Sequence, residues 1–192
     1  MTLTEWPVGV RPIRRRDAGA WRDVRRENRE WLRPWDATPP EGSSLSPTFG
    51  AMVASLLREA RAGRALPFVI TVEDRLVGQL TVGGISYGSL RAAHLGYWVD
   101  QRVAGRGVTP TAVALVGDHC FGTLALHRLE IALRGENDPS RRVAQKLGFR
   151  FEGERPRYLH IDGDWRDHEI WALHSDEVPE GLLERWRRSR HT

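Results

Sequence analysis

The segment WVDQRVAGRGVTPTAVALVGDHCF, residues 98–121, joins the end of an extended stretch to a long apolar stretch with helical periodicity. Two glycines in the turn, Gly105 and Gly107, permit positive φ angles and let a bulky anion approach the main chain closely. The N–H groups of the first helical turn and the helix dipole point at such an anion, and Arg102 and Arg106 add positive charge. The segment therefore predicts a strand, a turn and a helix that bind a pyrophosphate, with a plain tight turn as the alternative.

Two other phosphate-binding motifs do not fit this segment. A P-loop requires Gly-Lys-Ser/Thr after its glycines, and Pro110 stands where a dinucleotide-binding motif has its third glycine. A second segment, ENDPSRRVAQKLGF (residues 136–149), has Asn137 and Ser140 at the start of a short helix and ends in Leu-Gly-Phe. Arg-x-x-Gly-x-Gly after one strand, followed by Asn-x-x-Ser and Leu-Gly-Phe after the next, resembles the two-part pattern of the GNAT acetyltransferases.

The composition is that of an ordinary globular protein. Of 192 residues, 40% are hydrophobic and 28% are charged, which is enough chain for a sizeable core, and we expect a single domain over residues 1–192. Cys120 is the only cysteine, which excludes an internal disulfide and a thiolate metal cluster. Because no stretch has the apolar length of a signal peptide or a membrane span, we predict a cytoplasmic protein with no membrane contact and no metal.

The chain is basic, and almost all of its positive charge is arginine. The net charge is +4 and the isoelectric point is about 9.9, with Lys146 as the only lysine. Such a charge fits a nucleic-acid or ribosomal partner and equally fits the base composition of a genome. The arginine runs at residues 14–16 and 185–190 are short, so we interpret them as solvated faces and expect nucleic-acid contact only indirectly, through the ribosome.

Hydrophobic periodicity predicts the element order βααβββαβαββα, an α/β (α+β) fold. The predicted strands cover residues 8–14, 66–74, 75–85, 92–100, 128–133, 149–161 and 164–173; the predicted helices cover 17–28, 108–121 and 139–146, one begins at Ser46-Pro47, and the last contains Leu182, Leu183 and Trp186. Residues 33–47 are predicted as a proline-rich loop. This order implies a central mixed, mostly antiparallel twisted sheet of about seven strands, with helices on both faces and one parallel β-α-β crossover near residue 128.

The GNAT resemblance adds a splayed parallel strand pair, between which the pantetheine arm of acetyl-CoA enters. The first of these strands ends at Trp98 and Val99, and the second covers residues 128–133. A main-chain N–H near Trp98 and Val99 would polarise the thioester carbonyl. By the same resemblance, the cofactor-binding residues are Trp98, Val99, Arg102, Gly105, Arg106, Gly107, Val108, Thr109, Asn137, Ser140 and Arg142.

Two further segments resemble the RimJ/RimL-type ribosomal-protein N-alpha-acetyltransferases, and the RimJ branch in particular: ENREWLRPWD (residues 27–36) and YLHIDGDWRDHEIWAL (residues 158–173). The resemblance implies direct transfer of an acetyl group from acetyl-CoA to the N-terminal amine of an acceptor protein, with a ribosomal protein as the acceptor, by a monomer or homodimer. Two alternatives stay open. One is a small-molecule amine as acceptor, such as an antibiotic or a polyamine, and the other is a CoA-binding, ribosome-associated module with little catalysis.

The catalytic acid and base that the resemblance implies are missing from this sequence. The position of the family's tyrosine acid holds Ala144, and that of its glutamate base holds Ala132. Ser140 is a candidate to protonate the leaving thiolate, as in the RimL branch, or simply caps its helix. Glu130 and His94 are candidate bases, with an arginine ion pair and a surface or hydrogen-bonded histidine as the respective alternatives.

Four residues are predicted on the acceptor side of the site. Trp31 and Trp35 lie in a loop with unusual aromatic content and are expected to wall the acceptor pocket, unless they only pack the loop onto the sheet. Glu27 is a candidate to bind a substrate ammonium group. Tyr158 is either a hydrogen-bond donor or part of the wall.

Overall fold

The computed structural model describes residues 1–40 and 48–190, and its fold is mixed α/β. The strands are β1 (Leu3–Glu5), β2 (Val8–Pro12), β3 (Leu66–Val72), β4 (Arg75–Ser86), β5 (Ala92–Val99), β6 (Arg128–Leu133), β7 (Arg150–Ile161) and β8 (Asp164–His174). The helices are α1 (Ala18–Glu27), α2 (Arg29–Leu32), α3 (Phe49–Arg61), α4 (Val108–Asp118), α5 (Asp138–Lys146) and α6 (Leu182–Ser189). None of the described helices is long and apolar enough to cross a lipid bilayer.

The strands form one sheet in the order β1-β2-β3-β4-β5-β6-β8-β7, antiparallel except between β5 and β6. The predicted mixed sheet with one parallel crossover is therefore confirmed. The sheet has one strand more than the seven predicted, because Leu3–Glu5 pairs with the start of β2. A three-residue strand is too short to show an alternating pattern in the sequence.

Successive residues of a strand point to opposite sides of the sheet. Because both sides carry apolar residues, helices pack on both faces of the sheet. On β3, Phe68 and Ile70 belong to the larger apolar core, which also contains α4 and the buried side of α6. Val69, between them, packs in a smaller core with Val53 of α3. Helix α4 is buried at almost every position, as expected for a helix covered by the sheet and by α6.

Strands β5 and β6 are paired over only three residues. Ala92, Ala93 and His94 lie opposite residues 128–130, yet β5 runs on to Val99 and β6 to Leu133. Beyond His94 the edge of β5 that faces β6 has no strand partner among the described residues. The parallel pair is therefore splayed at its carboxyl end, as the family resemblance implied.

Two tight hairpin turns lie where the sequence predicts them. Glu73 and Asp74 connect β3 to β4, and both have positive φ angles, 49° and 64°. Asp162 and Gly163 connect β7 to β8 with φ angles of 49° and 84°. Two successive positive φ angles are typical of the turn whose twist matches paired antiparallel strands.

The first half of the chain differs from prediction in several details. Strand β2 ends at Pro12, and the short helix α2 was not predicted. The predicted loop at residues 33–47 begins with a 3-10 turn, Arg33–Trp35, and Ala37 then pairs with Ile161 at the end of β7. Helix α3 has Thr48 as its N-cap, whose hydroxyl accepts the Ala51 N–H at 3.2 Å, so the cap lies later than predicted. Ser46 and Pro47 themselves lie outside the described residues.

Strand β7 forms one edge of the sheet and is irregular. Its pairing with β8 shifts register between Phe151 and Gly153 and again between Arg155 and Leu159, around Pro156. All but the end of this twelve-residue strand is exposed or half-buried.

The single cysteine is structural. Cys120 lies in the π-helical turn His119–Thr123 that follows α4, and its side chain is fully buried in the larger core. Burial raises the pKa of the Cys120 thiol to about 12, so the thiol stays protonated and unreactive near neutral pH. The residue therefore serves packing.

Candidate active site

A cavity of about 580 Å³ lies along the part of β5 that has no β6 partner. It takes side chains and main chain from the α2 region, β4, β5, the turn before α4, and α5. Its lining consists of Trp31, Leu32, Trp35, Asp36, Gln79, Thr81, Gly96, Tyr97, Trp98, Val99, Ala104, Gly105, Gly107, Val108, Thr109, Pro110, Asn137, Pro139, Ser140, Arg142, Val143 and Lys146.

One end of the cavity is suited to an anion. Gly105 and Gly107 both have positive φ angles, 76° and 82°, and Gly107 is the N-cap of α4 with no side chain to occupy the first-turn N–H groups. These N–H groups have no intrahelical acceptor, and the helix dipole makes this end positive. Arg142 and Lys146, one turn apart on α5, add two cations to the same lining.

Two hydroxyl groups in contact with each other lie on the lining of the cavity. Asn137 caps α5, and its Oδ1 accepts the Ser140 N–H at 3.1 Å. The Ser140 hydroxyl lies 2.9 Å from the Tyr97 hydroxyl of β5. Burial raises the pKa of Tyr97 to about 12, and the hydrogen bond to Ser140 only partly opposes this.

The other end of the cavity is aromatic, with Trp31, Trp35 and Trp98 on its lining. Asp36 lies among these rings, and both of its carboxylate oxygens accept hydrogen bonds from Arg25, at 3.0 and 2.5 Å. The Arg25 guanidinium also stacks over Trp98, 5.1 Å from the ring centre. The charge of Asp36 is therefore balanced within the protein by a cation that is itself held by an aromatic face.

Polar groups of β4 on the same side are held in fixed positions. The indole N–H of Trp21 donates to Gln79 Oε1 at 2.8 Å, and the amide nitrogen of Gln79 donates to Thr81 Oγ1 at 3.2 Å. Both Gln79 and Thr81 line the cavity. The arrangement presents neutral hydrogen-bonding groups between the anion end and the aromatic end.

Comparison with known proteins identifies the family of this chain. A family model described as an acetyltransferase (GNAT) domain matches residues 8–150, which is more than half of the chain. The chain belongs to the GNAT acetyltransferase family. Within this family, the cavity along the splayed strands is the candidate active site.

Several GNAT proteins are similar over most of the chain. The structure of Mycobacterium smegmatis RimJ in complex with CoA-disulfide is 40% identical, has a TM-score of 0.92, and is matched over 99% of this chain and 95% of that one. The [ribosomal protein uS5]-alanine N-acetyltransferase of Escherichia coli K12 is 30% identical over 89% of both chains. The probable N-acetyltransferase YjcK of Bacillus subtilis is 39% identical over 53% of this chain and 56% of its own length.

The cavity brings together most of the predicted GNAT site residues. Of those predicted for the cofactor, Trp98, Val99, Gly105, Gly107, Val108, Thr109, Asn137, Ser140 and Arg142 line it, and of those predicted for the acceptor, Trp31 and Trp35 do. The lining does not include Arg102, Arg106, Glu27, Tyr158, His94 or Glu130.

Arg102 and Glu27 form a separate ionic cluster with Asp100. The Arg102 guanidinium lies 2.5 Å from Asp100 and 2.7 Å from Glu27, and the Asp100 carboxylate also accepts the Arg102 main-chain N–H at 2.9 Å. Burial acts to raise the pKa of Asp100, but the hydrogen bonds from Arg102 outweigh burial and hold that pKa below its usual range. In the structure, this arginine stabilises the turn that precedes the glycines.

The two candidate bases lie next to each other outside the cavity. His94 is opposite Glu130 in the parallel pair, and its ring packs on the main chain at Gly84, where a Cβ atom would lie 2.8 Å from Nδ1. Burial lowers the pKa of His94, with Glu130 partly opposing the shift. Glu130 pairs with Arg128 at 2.9 Å and with Arg155 at 3.3 Å, which is the ion-pair alternative considered for it.

Tyr158 lies beside the same ionic group. Its hydroxyl accepts a hydrogen bond from Arg155 at 3.3 Å, and the Arg155 guanidinium stacks 5.2 Å from the ring centre. On strand β8, Trp165 is 44% exposed, whereas Trp171 is buried.

Several lining residues escaped the sequence reasoning, among them the polar residues Tyr97, Asp36, Gln79, Thr81 and Lys146. Lys146 had a usable signal, since it lies four residues after Arg142 on a predicted helix and therefore on the same face. Tyr97, Asp36 and Gln79 had none, because each reaches the cavity through the packing of distant elements.

We predict that Asp100→Asn lowers the free energy of unfolding at pH 7 by about 1–3 kcal/mol, because it weakens charged hydrogen bonds at a buried position. The native pKa of Asp100 is depressed, so its contribution is complete above the unfolded-state pKa of about 3.9 and is lost as the pH falls through the native value. Urea unfolding from pH 7 to pH 3 should therefore show the two proteins converging in acid.

The matched control is Asp176→Asn, which changes an exposed carboxylate. It should alter the free energy of unfolding by no more than about 0.5 kcal/mol. A difference between wild type and Asp100→Asn that stays constant down to pH 3 would contradict the charged-pair interpretation.

Proposed function

We propose that this GNAT protein transfers the acetyl group of acetyl-CoA to the N-terminal amine of a protein, and that the acceptor is a ribosomal protein. The observation that carries the proposal is one cavity, along an unpaired strand edge, that joins a positive helix end to three tryptophan rings. The names of two relatives support the acceptor and the cofactor: the E. coli enzyme is named for an alanine of ribosomal protein uS5, and the M. smegmatis RimJ structure holds a CoA-disulfide.

The cavity offers suitable groups for several parts of CoA. The first-turn N–H groups of α4, with Gly105 and Gly107, suit the pyrophosphate, and Arg142 and Lys146 supply positive charge for phosphate groups. The main chain of Trp98 and Val99, beyond the last β6 partner, offers hydrogen bonds to an extended amide chain such as the pantetheine arm. When bound, acetyl-CoA supplies the acetyl group as a thioester.

The aromatic end suits the acceptor. Trp31, Trp35 and Trp98 form a wall that excludes water and offers ring faces to a cationic or neutral amine. The walls of such a pocket position the amine against the thioester, and this proximity accounts for much of the rate in a direct transfer.

No residue of the described lining is placed to act as a base near neutral pH. The titratable lining residues are Asp36, Tyr97, Arg142 and Lys146. Asp36 is paired with Arg25 through both oxygens, and the raised pKa of Tyr97, about 12, keeps its hydroxyl protonated. We propose that the acceptor amine reacts in its neutral form after it loses its proton to solvent.

This proposal predicts how the rate depends on pH. For a peptide with N-terminal alanine, kcat/KM should rise about tenfold per pH unit and level off above the α-ammonium pKa of about 7.7–8.0. An acceptor amine of lower pKa should move the plateau to correspondingly lower pH. A profile that is already level at pH 6.5 with both acceptors would instead indicate an enzyme base such as His94, whose pKa is lowered by burial.

The function itself is tested by CoA release from acetyl-CoA with purified protein, using peptides of different N-terminal residues beside a panel of small amines. We expect turnover with peptides that begin with alanine or serine and none with the same peptides acetylated at the N-terminus. Turnover confined to small amines would assign the protein to a small-molecule acceptor. CoA binding without any turnover would favour a ribosome-associated CoA-binding module.

The cofactor site is tested by removing its cations. We predict that Arg142→Ala and Lys146→Ala each raise KM for acetyl-CoA by about tenfold, because each removes one charged contact to phosphate. Arg61→Ala, an exposed arginine on α3, is the matched control and should leave KM unchanged. Arg106 was predicted to bind the cofactor but does not line the cavity, so Arg106→Ala tests which is right. A tenfold rise in KM for acetyl-CoA would indicate that Arg106 contacts a phosphate. An unchanged KM would agree with its absence from the cavity lining.

A further inference from the structure

The contact between Tyr97 and Ser140 joins β5 to α5, and the sequence analysis did not predict it. Tyr97 extends from β5 and Ser140 from the first turn of α5, and their hydroxyl oxygens lie 2.9 Å apart on the lining of the cavity. Ala144, one turn after Ser140, has no polar group and is fully buried. Within the described lining, Tyr97 and Ser140 are the residues of β5 and α5 that carry a hydroxyl group.

The position of Ser140 is fixed by its main chain. Its N–H donates to the Asn137 side chain that caps α5, so the Cα–Cβ bond of Ser140 has a defined direction at the helix start. The remaining freedom is rotation of the hydroxyl group, which determines where its proton points. The Tyr97 hydroxyl, at 2.9 Å, is the group that limits this rotation.

The chemistry of the two hydroxyls favours Tyr97 as the donor. A phenol is more acidic than an alcohol, so its O–H is the stronger donor and its oxygen the weaker acceptor. The pKa of Tyr97 is raised to about 12 by burial, so its hydroxyl is protonated near neutral pH. When Tyr97 donates to Ser140 Oγ, the proton of Ser140 is directed away from Tyr97 and is free for another acceptor.

We propose that Tyr97 is a positioning residue that turns the Ser140 hydroxyl proton toward the sulfur atom of bound CoA. Ser140 is then the group that contacts the leaving sulfur and stabilises it by a hydrogen bond. This inference rests on the proposed acetyl-CoA-dependent function and adds to it Tyr97, which orients the hydroxyl of the candidate residue Ser140 at the leaving thiol.

The step needs no proton transfer from the protein. As the carbon–sulfur bond of the thioester breaks, its electron pair goes to sulfur and the acetyl group stays on the acceptor nitrogen. The thiolate accepts the hydrogen bond of Ser140 and later takes a proton from solvent, while the acceptor nitrogen releases its proton to solvent. A serine hydroxyl keeps its proton in this scheme because a thiol, with a pKa near 8.5, is by far the stronger acid.

The direct test is the titration of the thiol of bound CoA, which requires no acceptor. A hydrogen bond to the thiolate lowers the pKa of the thiol, and the thiolate is followed by the difference in ultraviolet absorbance between protein with CoA and protein alone. We expect the midpoint for wild-type protein to lie below that of free CoA, and Ser140→Ala to raise it by about one pH unit. Tyr97→Phe, which keeps the ring and removes the hydroxyl, should raise it by about half a unit.

Tyr87→Phe is the matched control, because Tyr87 is exposed and lies outside the cavity lining. It should leave the midpoint unchanged. Circular dichroism of each variant shows whether the fold is kept. An equal midpoint in wild type and Tyr97→Phe would overturn the proposed role of Tyr97, whereas failure of the wild-type protein to bind CoA would overturn the proposed function as well.

A double-mutant cycle on turnover tests the coupling between the two hydroxyls. We expect Ser140→Ala to lower kcat by about 10- to 100-fold and Tyr97→Phe by about 3- to 10-fold, with KM for acetyl-CoA changed less than twofold in both. In the Ser140→Ala background, Tyr97→Phe should have no further effect. An effect of Tyr97→Phe that is equally large in both backgrounds would show that the tyrosine acts independently of Ser140 and would overturn the inference.

Discussion

The separation of β5 from β6 after three residue pairs is the constraint on which the rest of the site depends. A strand edge without a partner leaves main-chain N–H and C=O groups that need hydrogen bonds from another source. The surrounding elements do not close this gap: α4 begins beside it and α5 lies across it, so the edge is kept open as a cavity. A ligand with its own amide groups can pair with such an edge, and the chemistry of the site follows from that opening.

Several arginines around the site form ion pairs with carboxylates of the protein. The basic composition therefore does not imply a strongly positive cavity. Arg25 is bound to Asp36, Arg102 to Asp100 and Glu27, and Arg128 to Glu130 and Glu152. Each pair uses a guanidinium to orient a turn or join two elements, so it contributes little positive field to the cavity. The cations that line it, Arg142 and Lys146, come from a single helix face.

The sequence predicted the features of the site that depend on neighbouring residues. Gly105 and Gly107 mark the uncapped start of α4, and Asn137 marks the capped start of α5, because a helix end is determined by a few adjacent residues. The order of strands and the parallel crossover also followed from local periodicity, whereas the short strand β1 did not. A three-residue element carries too little pattern to be recognised alone.

Contacts between residues that are far apart along the chain could not be predicted from the sequence. The partners of Arg102 include Glu27, far away along the chain, so a motif arginine became part of an ionic cluster outside the cavity. Tyr97 meets Ser140 only because β5 and α5 pack against each other, and no spacing in the sequence encodes that contact. The candidate bases His94 and Glu130 lie where the parallel strands are still paired, outside the cavity lining.

The irregular edge strand β7 has a consequence for the behaviour of the whole protein. An exposed strand edge normally offers a template on which another chain can add a strand. In β7, Pro156 lacks an N–H group, two shifts of register break the straight run of hydrogen-bonding groups, and Arg157 has a positive φ angle of 50°. An incoming strand meets no continuous ladder of hydrogen-bonding groups, so this edge of the sheet is poorly suited to strand addition by another chain.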